Sequence, residues 1–518
     1  MERAEVVIVG AGPVGALLAA ELRLAQVDVL VLERLTEPSG QSRASALHAR
    51  TVATLRRRGL FEPLADLARA DGAGFAPPRG RAQFAGMAVL DRSVLPTDGP
   101  ALLGVSQSRV ETVLNGHMTR LGARVRRGHT VTGLSTSEDL VTVTVAGPDG
   151  EYQVGAGYVV GCDGGRSAVR SMAGIGFPGT PSTVAGLLGD VTLAEPGSVP
   201  FGWHSTPRGW TVGMFRPDGR GRLIVFEFTG AHPDRDARLD EAELGAAAHR
   251  VLGRPVEFAA STWLTRFGDA CRQAEEYRSG RVLLAGDAAH VHFPVGGQGL
   301  NLGLQDAVNL GWKLAGAVRG WAGPHLLDTY QAERAPLAAT VLRNARAQSV
   351  LMDPDPRFDA LRELFHELAW LPEVNRHLVG QLGGVDIRYD LPGGARDPLV
   401  GRFADDLRIE TADGPRQLAQ LLRDGRALLL NLTGAALPAE VEIALLGCPD
   451  RVSMVTGRTD GDPVALLVRP DGYVALAASG RENCWSGACG ALSYWFGAPD
   501  QAHGFITRSS ESVTGLGG

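Results

Sequence analysis

The chain has 518 residues, room for roughly two to four domains, and 44% of them are apolar, as in ordinary soluble globular proteins. Its 51 Lys and Arg against 57 Asp and Glu leave a formal net charge of -6, which argues against a nucleic-acid binder that must neutralise phosphates with concentrated cations. The short basic clusters Arg56-Arg57-Arg58 and Arg126-Arg127 read as solvated faces. Five cysteines lie far apart, at 162, 271, 448, 484 and 489, without a CxxC pair, a pattern of reduced thiols in a cytoplasmic protein.

The run Val6 to Leu22 is apolar enough to suggest a signal peptide or a membrane span. It contains three glycines, Pro13 and Glu21, and Glu2 and Glu5 precede it where a basic flank would stand. It reads better as strand, glycine turn and helix, and no other segment is long and apolar enough to cross a bilayer. Glu5–Val9 has the β-branched character of a strand buried on both faces. Gly10-Ala11-Gly12-Pro13-Val14-Gly15 then fits G-x-G-x-x-G, a helical pattern runs from Ala16 to Leu24, and a second strand, Val27–Leu32, ends in Glu33. Such glycines permit a tight turn, backbone approach to a pyrophosphate and close helix–strand packing, while an acidic residue at Glu33 binds ribose hydroxyls. A carboxylate there repels the 2′-phosphate of NADPH, so this first site takes FAD or NAD.

Further along, Ser108-Arg-Val-Glu111 has the form of a capping box and places Gln107 at the mouth of a helix. A strand from Tyr158 ends in Asp163-Gly164, with Arg166 beyond it; another, Arg281–Ala285, runs into Gly286-Asp287. Next comes HVHFPVGGQGLN, residues 290–301. His290 and His292 suggest a metal, but no Cys and no carboxylate other than Asp287 stands nearby, so no metal is expected. Each histidine is either packed or, for His292, lining a pocket. Leu304, Val308, Trp312 and Ala315 recur at helical spacing as core.

The three motifs together, G-x-G-x-x-G near residue 10, DG at 163 and GD at 286, resemble the class A FAD-dependent aromatic monooxygenases, the para-hydroxybenzoate hydroxylase and phenol hydroxylase family. Glu33-Arg34, Ser42-Arg43-Ala44, Gly161-Cys-Asp-Gly-Gly-Arg-Ser and Gly296-Gly-Gln-Gly-Leu-Asn are most similar to bacterial aromatic polyketide hydroxylases. The resemblance implies FAD as cofactor, NADPH or NADH as a transient reductant, and O2 activated as a flavin C4a-hydroperoxide. By the same resemblance Gly10, Gly12, Pro13, Val14, Gly15, Glu33 and Arg34 hold the adenosine half. Arg43 and Gln107 contact the flavin and its linker, Asp163 serves flavin and passing nicotinamide, and Gly286-Asp287 holds the ribityl chain. Gly297, Gly299, Leu300 and Asn301 present backbone to the flavin N1–C2=O edge, where a helix N-terminus stabilises negative charge. Pro294 lines the face where oxygen reacts, and with Arg43 it is the catalytic expectation.

The expected fold is α/β: a Rossmann-like FAD-binding domain of glutathione-reductase type (1–71, 101–174 and 269–390) and an antiparallel-sheet substrate domain (72–100 and 175–268). Trp203, Met214, Phe226, His292 and Phe293 are candidates to line the substrate site beneath that sheet; the sheet-core reading stands beside this one. A linker near Leu391–Pro398 leads to a third domain, 399–518, similar to the thioredoxin-like C-terminal domain of phenol hydroxylase relatives. Thr433-Gly-Ala-Ala436 stands where redox cysteines would follow its first strand, so this domain is redox-inactive.

The activity implied is hydroxylation of a polycyclic aromatic polyketide in antibiotic biosynthesis, by a monomer or homodimer without nucleic-acid or membrane partners. Baeyer–Villiger-type oxygen insertion or oxidative rearrangement of the same substrates stays open, as do a flavin-dependent dehydrogenase or reductase and a catalytically silent flavin protein. A single dinucleotide fingerprint and the lack of CxxC weigh against enzymes with two nucleotide domains and against disulfide reductases.

Overall fold

The computed structural model describes residues 1–70, 75–76, 80–95, 99–234, 237–323, 325–391, 397–460 and 463–498. Part of the expected 72–100 segment, most of the expected linker and the last 20 residues of the expected third domain thus lie outside the described residues.

The apolar strand Glu2–Val9 sits mid-sheet, with Val6, Val7 and Ile8 fully buried, as a run without polar alternation requires. It pairs in parallel with Gly150–Gly161 on one side and Val29–Glu33 on the other. Val282–Leu284 extends the sheet in parallel beyond Gly150–Gly161, and Arg124–Arg127 beyond Val29–Glu33. The two long helices Gln298–Arg319 and His325–Met352 pack against each other, and Gln298–Arg319 also covers Pro13–Leu24. Leu304, Val308, Trp312 and Ala315 are all buried, as their spacing predicts.

A second sheet is wholly antiparallel, in the order Gly202–Thr206, Gly209–Phe215, Arg220–Glu227, Ala185–Leu193, Phe258–Phe267. Its two faces separate by strand alternation: Leu187, Val191, Leu223 and Val225 pack against the helix Glu241–Leu252, while Leu188, Val212, Ile224 and Phe226 face a cavity. The hairpin Arg81–Phe84/Met87–Asp91 and the helices Asp359–Ala369 and Pro372–Gly383 close one end. Phe84 stacks on Phe365 at 5.1 Å, and the buried Asn375 side chain accepts from the Asp91 N–H and donates to the Val89 carbonyl. Of those two helices, expected within the FAD-binding portion, Pro372–Gly383 lines the cavity through Val379, Leu382 and Gly383, and Asp359–Ala369 packs in the apolar cluster around it.

The C-terminal sheet runs Val452–Thr456, Ala427–Asn431, Ala465–Val468, Val474–Ala478, the first pair parallel and the others antiparallel. Docking against the rest is apolar and ionic together. Trp312 meets Trp495 and Phe496 at 6.2 and 5.8 Å between ring centroids. Arg469 donates to both oxygens of Glu333 at 2.8 and 2.7 Å and also pairs with Asp471, while Lys313 approaches Glu333 at 2.9 Å.

The arginine cluster corrects the sequence expectation. Arg57 and Arg58 are buried: Arg57 donates to the Gly472 and Ala404 carbonyls, and Arg58 forms a bidentate pair with Glu21 and donates to Leu422 and Pro470. Their partners lie up to 415 residues away, which local charge patterning cannot register. Arg126, half-exposed, is bidentate to Glu2.

Arg469→Met leaves two buried carboxylates short of a partner, and a loss of about 3–5 kcal/mol in urea unfolding is expected; a change below about 1 kcal/mol would contradict this account. Burial opposes ionisation of Glu333, yet Arg469 and Lys313 hold its carboxyl well below the ordinary 4.5. A depressed acid stabilises above its unfolded value, so this contribution is complete above pH 4.5 and is lost as pH falls further. Glu333→Gln should flatten that acid limb.

Candidate active site

Three parallel strands end together, and their backbones are stitched at the tips. Cys162 N–H donates to the Val9 carbonyl at 2.8 Å and Ala285 N–H to that of Gly161 at 3.0 Å. This gathers Gly10–Gly15, Asp163-Gly164 and Gly286-Asp287 at the carboxyl edge of the sheet, where open α/β sheets bind ligands.

The glycines divide by role. Gly10 has φ +105°, and a Cβ there would lie 2.4 Å from the Cys162 carbonyl oxygen; one on Gly15 would lie 2.0 Å from that of Gly10. A Cβ on Gly12 meets nothing within 4 Å, so this glycine faces open space at the start of the helix Pro13–Leu24, which has no side-chain cap. Glu33 accepts from the N–H groups of Ala11 and Leu35 at 2.8 and 2.9 Å, which fixes its half-buried carboxylate at the loop. Arg34 is exposed beside it.

A fully buried aspartate that sequence reading did not single out ties the second half of the site together. Asp306 accepts from His290 Nε2 at 2.7 Å, from Arg334 Nε at 2.7 Å and from the Gly286 N–H at 3.2 Å. Burial works against its charge, but Arg334 and His290 hold its carboxyl below the usual range. The role of His290 is therefore to carry the loop; among the described residues no group of His, Cys, Asp and Glu is placed to hold a metal. Asp287 itself is exposed and makes no hydrogen bond to the protein among the described residues.

The Pro294–Asn301 segment turns through two left-handed glycines, Gly296 at φ +84° and Gly297 at +64°, into the helix Gln298–Arg319. That helix also lacks a side-chain cap, leaving its first N–H groups available near Gly299 and Leu300. The Asn301 side chain is spent internally, accepting from His48 N–H at 2.8 Å and donating to Gly297 and Ala46 carbonyls. His292 donates from Nδ1 to Phe293 at 2.7 Å, and its Nε2 is buried without a partner.

Two expectations change here. The helix expected after Ser108 starts two residues earlier than the capping box required: Ser106 is its cap position, Gln107 Nε2 donates to Glu111 at 2.9 Å and Gln107 Oε1 accepts from the Ala44 N–H. Asp163 accepts from Ser167 Oγ and from the N–H groups of Ala168 and Val169, capping the short helix Ala168–Met172.

Against Pro294–Gly297 lies a cavity of about 350 Å³, of the size of small-molecule sites. Trp203, Met214 and Phe226 line it, and Trp203 stacks on Phe226 at 5.9 Å. Phe293 is instead fully buried behind Phe226, edge-on at 5.5 Å, and neither it nor His292 reaches the cavity. Arg43 and Pro294 do.

Sequence reading missed His48. Its Nδ1 lies 2.7 Å from the Leu382 carbonyl, and burial together with the charge of Arg92 pulls its pKa down to about 4. The ring is therefore neutral near pH 7 with the proton on Nδ1, leaving Nε2 a lone-pair acceptor beside Gly297. Its only sequence signal was a polar residue interrupting a short strand, Ala46–His48.

These features fit FAD. An open glycine at one uncapped helix start receives the pyrophosphate, the free Asp287 carboxylate suits ribityl hydroxyls, and a second uncapped helix start suits the pyrimidine edge of the flavin. Residues 3–345 match the family described as FAD binding domain, and residues 397–499 the one described as aromatic-ring hydroxylase, C-terminal. The chain belongs to the FAD-dependent aromatic-ring monooxygenases of class A. It is 46% identical to the 12-dehydrotetracycline 5-monooxygenase/anhydrotetracycline 6-monooxygenase of Streptomyces rimosus, over 96% of this chain and 99% of that one. A rifampicin monooxygenase from Streptomyces venezuelae is 43% identical over 95% and 99% of the two chains. Among solved structures, the OxyS anhydrotetracycline hydroxylase from Streptomyces rimosus superposes with a TM-score of 0.87 at 45% identity, covering 96% of this chain and all of that one.

Asp287→Ala should weaken FAD binding by about 1.5–3 kcal/mol, roughly ten- to a hundredfold; flavin fluorescence titration checks this. Gly12→Val should abolish FAD retention while leaving the melting temperature of the apoprotein unchanged. Gly15→Val, which collides with backbone, should lower that temperature as well.

Proposed function

We propose that this enzyme hydroxylates a polycyclic aromatic polyketide, consuming NAD(P)H and O2 through bound FAD. The carrying observation is the cavity: mainly apolar, roofed by the antiparallel sheet, and floored by Pro294–Gly297 at the start of the helix Gln298–Arg319. The names of the relatives support the same substrate class.

Bound FAD supplies the reducing electrons and activates O2. The protein's own work is positional and electrostatic. Gly297 to Leu300 offer N–H groups of the helix start to the electron-rich edge of the flavin, with Asn301 fixing that turn. Asp287 and Glu33 hold hydroxyls at either end of the cofactor. Pro294, which lines the cavity, would border the flavin face that reacts with oxygen and help exclude water there. Arg43 borders both cavity and cofactor loop, Gln107 steadies Ala44 next to it, and Asp163 shapes the loop that the nicotinamide passes. Leu188, Ile224 and Phe226 press a flat ring system onto this floor and exclude water.

The C-terminal portion is read as a thioredoxin-like domain without redox cysteines. Its strand order, second–first–third–fourth with only the first pair parallel, supports that reading, and its docking through Arg469 supports a scaffolding role. A cytoplasmic location fits five free thiols, and among the described residues no helix is long and apolar enough to cross a membrane.

The test is NADPH turnover under 18O2 with a panel of aromatic polyketides, anhydrotetracycline included, followed by mass spectrometry. One labelled oxygen on an intact ring system is expected. Label inside an enlarged or opened ring would replace hydroxylation with oxygen insertion, and turnover without label would indicate a dehydrogenase or reductase.

A further inference from the structure

Charges around the substrate cavity are one-sided. Among the described residues four arginines line it, at 43, 92, 222 and 266, and no aspartate or glutamate does. Two of the four are neutralised from behind: Arg222 is bidentate to Asp190 at 2.7 and 2.8 Å, and Arg266 is bidentate to Glu243. Arg43 is exposed, on the cofactor loop. Arg92 is different. It is half-buried and forms no ion pair among the described residues, and burial alone holds its guanidinium below the ordinary value.

Its position is built rather than incidental. Arg92 opens a single 3-10 turn, Arg92–Val94, whose start is fixed by Asp91 accepting from Ser93 N–H at 2.8 Å. The Arg92 N–H donates to the Gly80 carbonyl, and Asn375 anchors Asp91 to the helix Pro372–Gly383. From there the Arg92 charge reaches His48, whose Nε2 is a lone-pair acceptor. Among the described residues, a half-buried cation without an anion and an imidazole acceptor thus border the same apolar cavity, and a partly desolvated cation is stabilised when an anion meets it.

We propose that Arg92 is the residue that selects and binds the substrate as an anion, pairing with an ionised phenol or enol oxygen while His48 Nε2 accepts a hydrogen bond from a neighbouring neutral hydroxyl. The ligand class is a fused aromatic with an acidic hydroxyl next to a second hydroxyl. Binding releases the acidic proton to solvent, and no bond to carbon changes in this step. The proposal rests on the cavity being the substrate site. It goes beyond hydroxylation in naming the residue that holds the ionised form. The charged and titratable groups facing the ligand are Arg43, Arg92, Arg222, Arg266 and His48. Because His48 is already neutral near pH 7, ionisation of the ligand's own hydroxyl dominates a titration between pH 5 and 9.

The experiment is an equilibrium titration of FAD-loaded enzyme, without NADPH, using alizarin, a dihydroxyanthraquinone whose ionised form absorbs at longer wavelength than flavin. Wild type is expected to bind the red monoanion and to ionise it at a proton concentration roughly tenfold or more above that required in free solution. Arg92→Gln should remove this displacement and weaken binding by a similar factor, with flavin occupancy unchanged. Arg92→Lys should restore most of the displacement. His48→Gln should weaken binding severalfold without altering the ionisation. Binding of the neutral yellow form by wild type, no binding at all, or an Arg92→Gln variant indistinguishable from wild type would overturn the proposal. None of these results depends on turnover, so the 18O2 outcome stands or falls separately.

Discussion

One buried carboxylate organises the cofactor side of this molecule. Asp306 has no access to solvent, and its charge is tolerable only because the guanidinium of Arg334, the imidazole of His290 and the N–H of Gly286 converge on it. Each donor belongs to a different segment: the second long helix, the strand tip before Pro294 and the turn that carries Asp287. Arg334 also donates to the Leu302 carbonyl, which locks the first turn of the helix that begins beside the flavin site. The relative placement of Asp287 and Gly297–Leu300 is thereby set through one shared acceptor.

The cofactor side is rigid and polar at its core, whereas the substrate side is apolar and assembled from pieces distant in sequence. Side chains from within 43–48, 82–95, 101–102, 188–226, 265–267 and 379–383 contribute to one cavity. The two sides meet at Pro294–Gly297, where left-handed glycines let the backbone form the floor. In that arrangement binding and cofactor chemistry share only a short stretch of chain.

This contrast explains what was legible in the sequence. Gly10, Gly15 and Glu33 are readable because their roles are local: a turn, a packed helix and a nearby strand end lie within 23 residues. Leu304, Val308, Trp312 and Ala315 were equally plain from periodicity. The cavity residues are not local. His48 and Arg92 gain meaning only when Leu382, Gly297 and Asn375 arrive from more than 200 residues away. Arg57 and Arg58 carry charge that resembles a surface, and carbonyls of the C-terminal segment, with Glu21 for Arg58, make them interior. For Phe293 and His292, where a packed reading stood beside a cavity-lining one, the same limitation applies: apolar or aromatic character near a floor does not say which side of the floor a ring occupies.

The two-faced antiparallel sheet has an evolutionary consequence. Leu187, Val191, Leu223 and Val225 hold the helix Glu241–Leu252, while their alternate neighbours Leu188, Ile224 and Phe226 touch only the cavity and its surrounding side chains. Stability and selectivity are thereby written on opposite sides of the same strands. Mutations can redraw the outline of the accepted ring system on one side while the anchoring side remains intact, so new substrates can be explored without first rebuilding the scaffold.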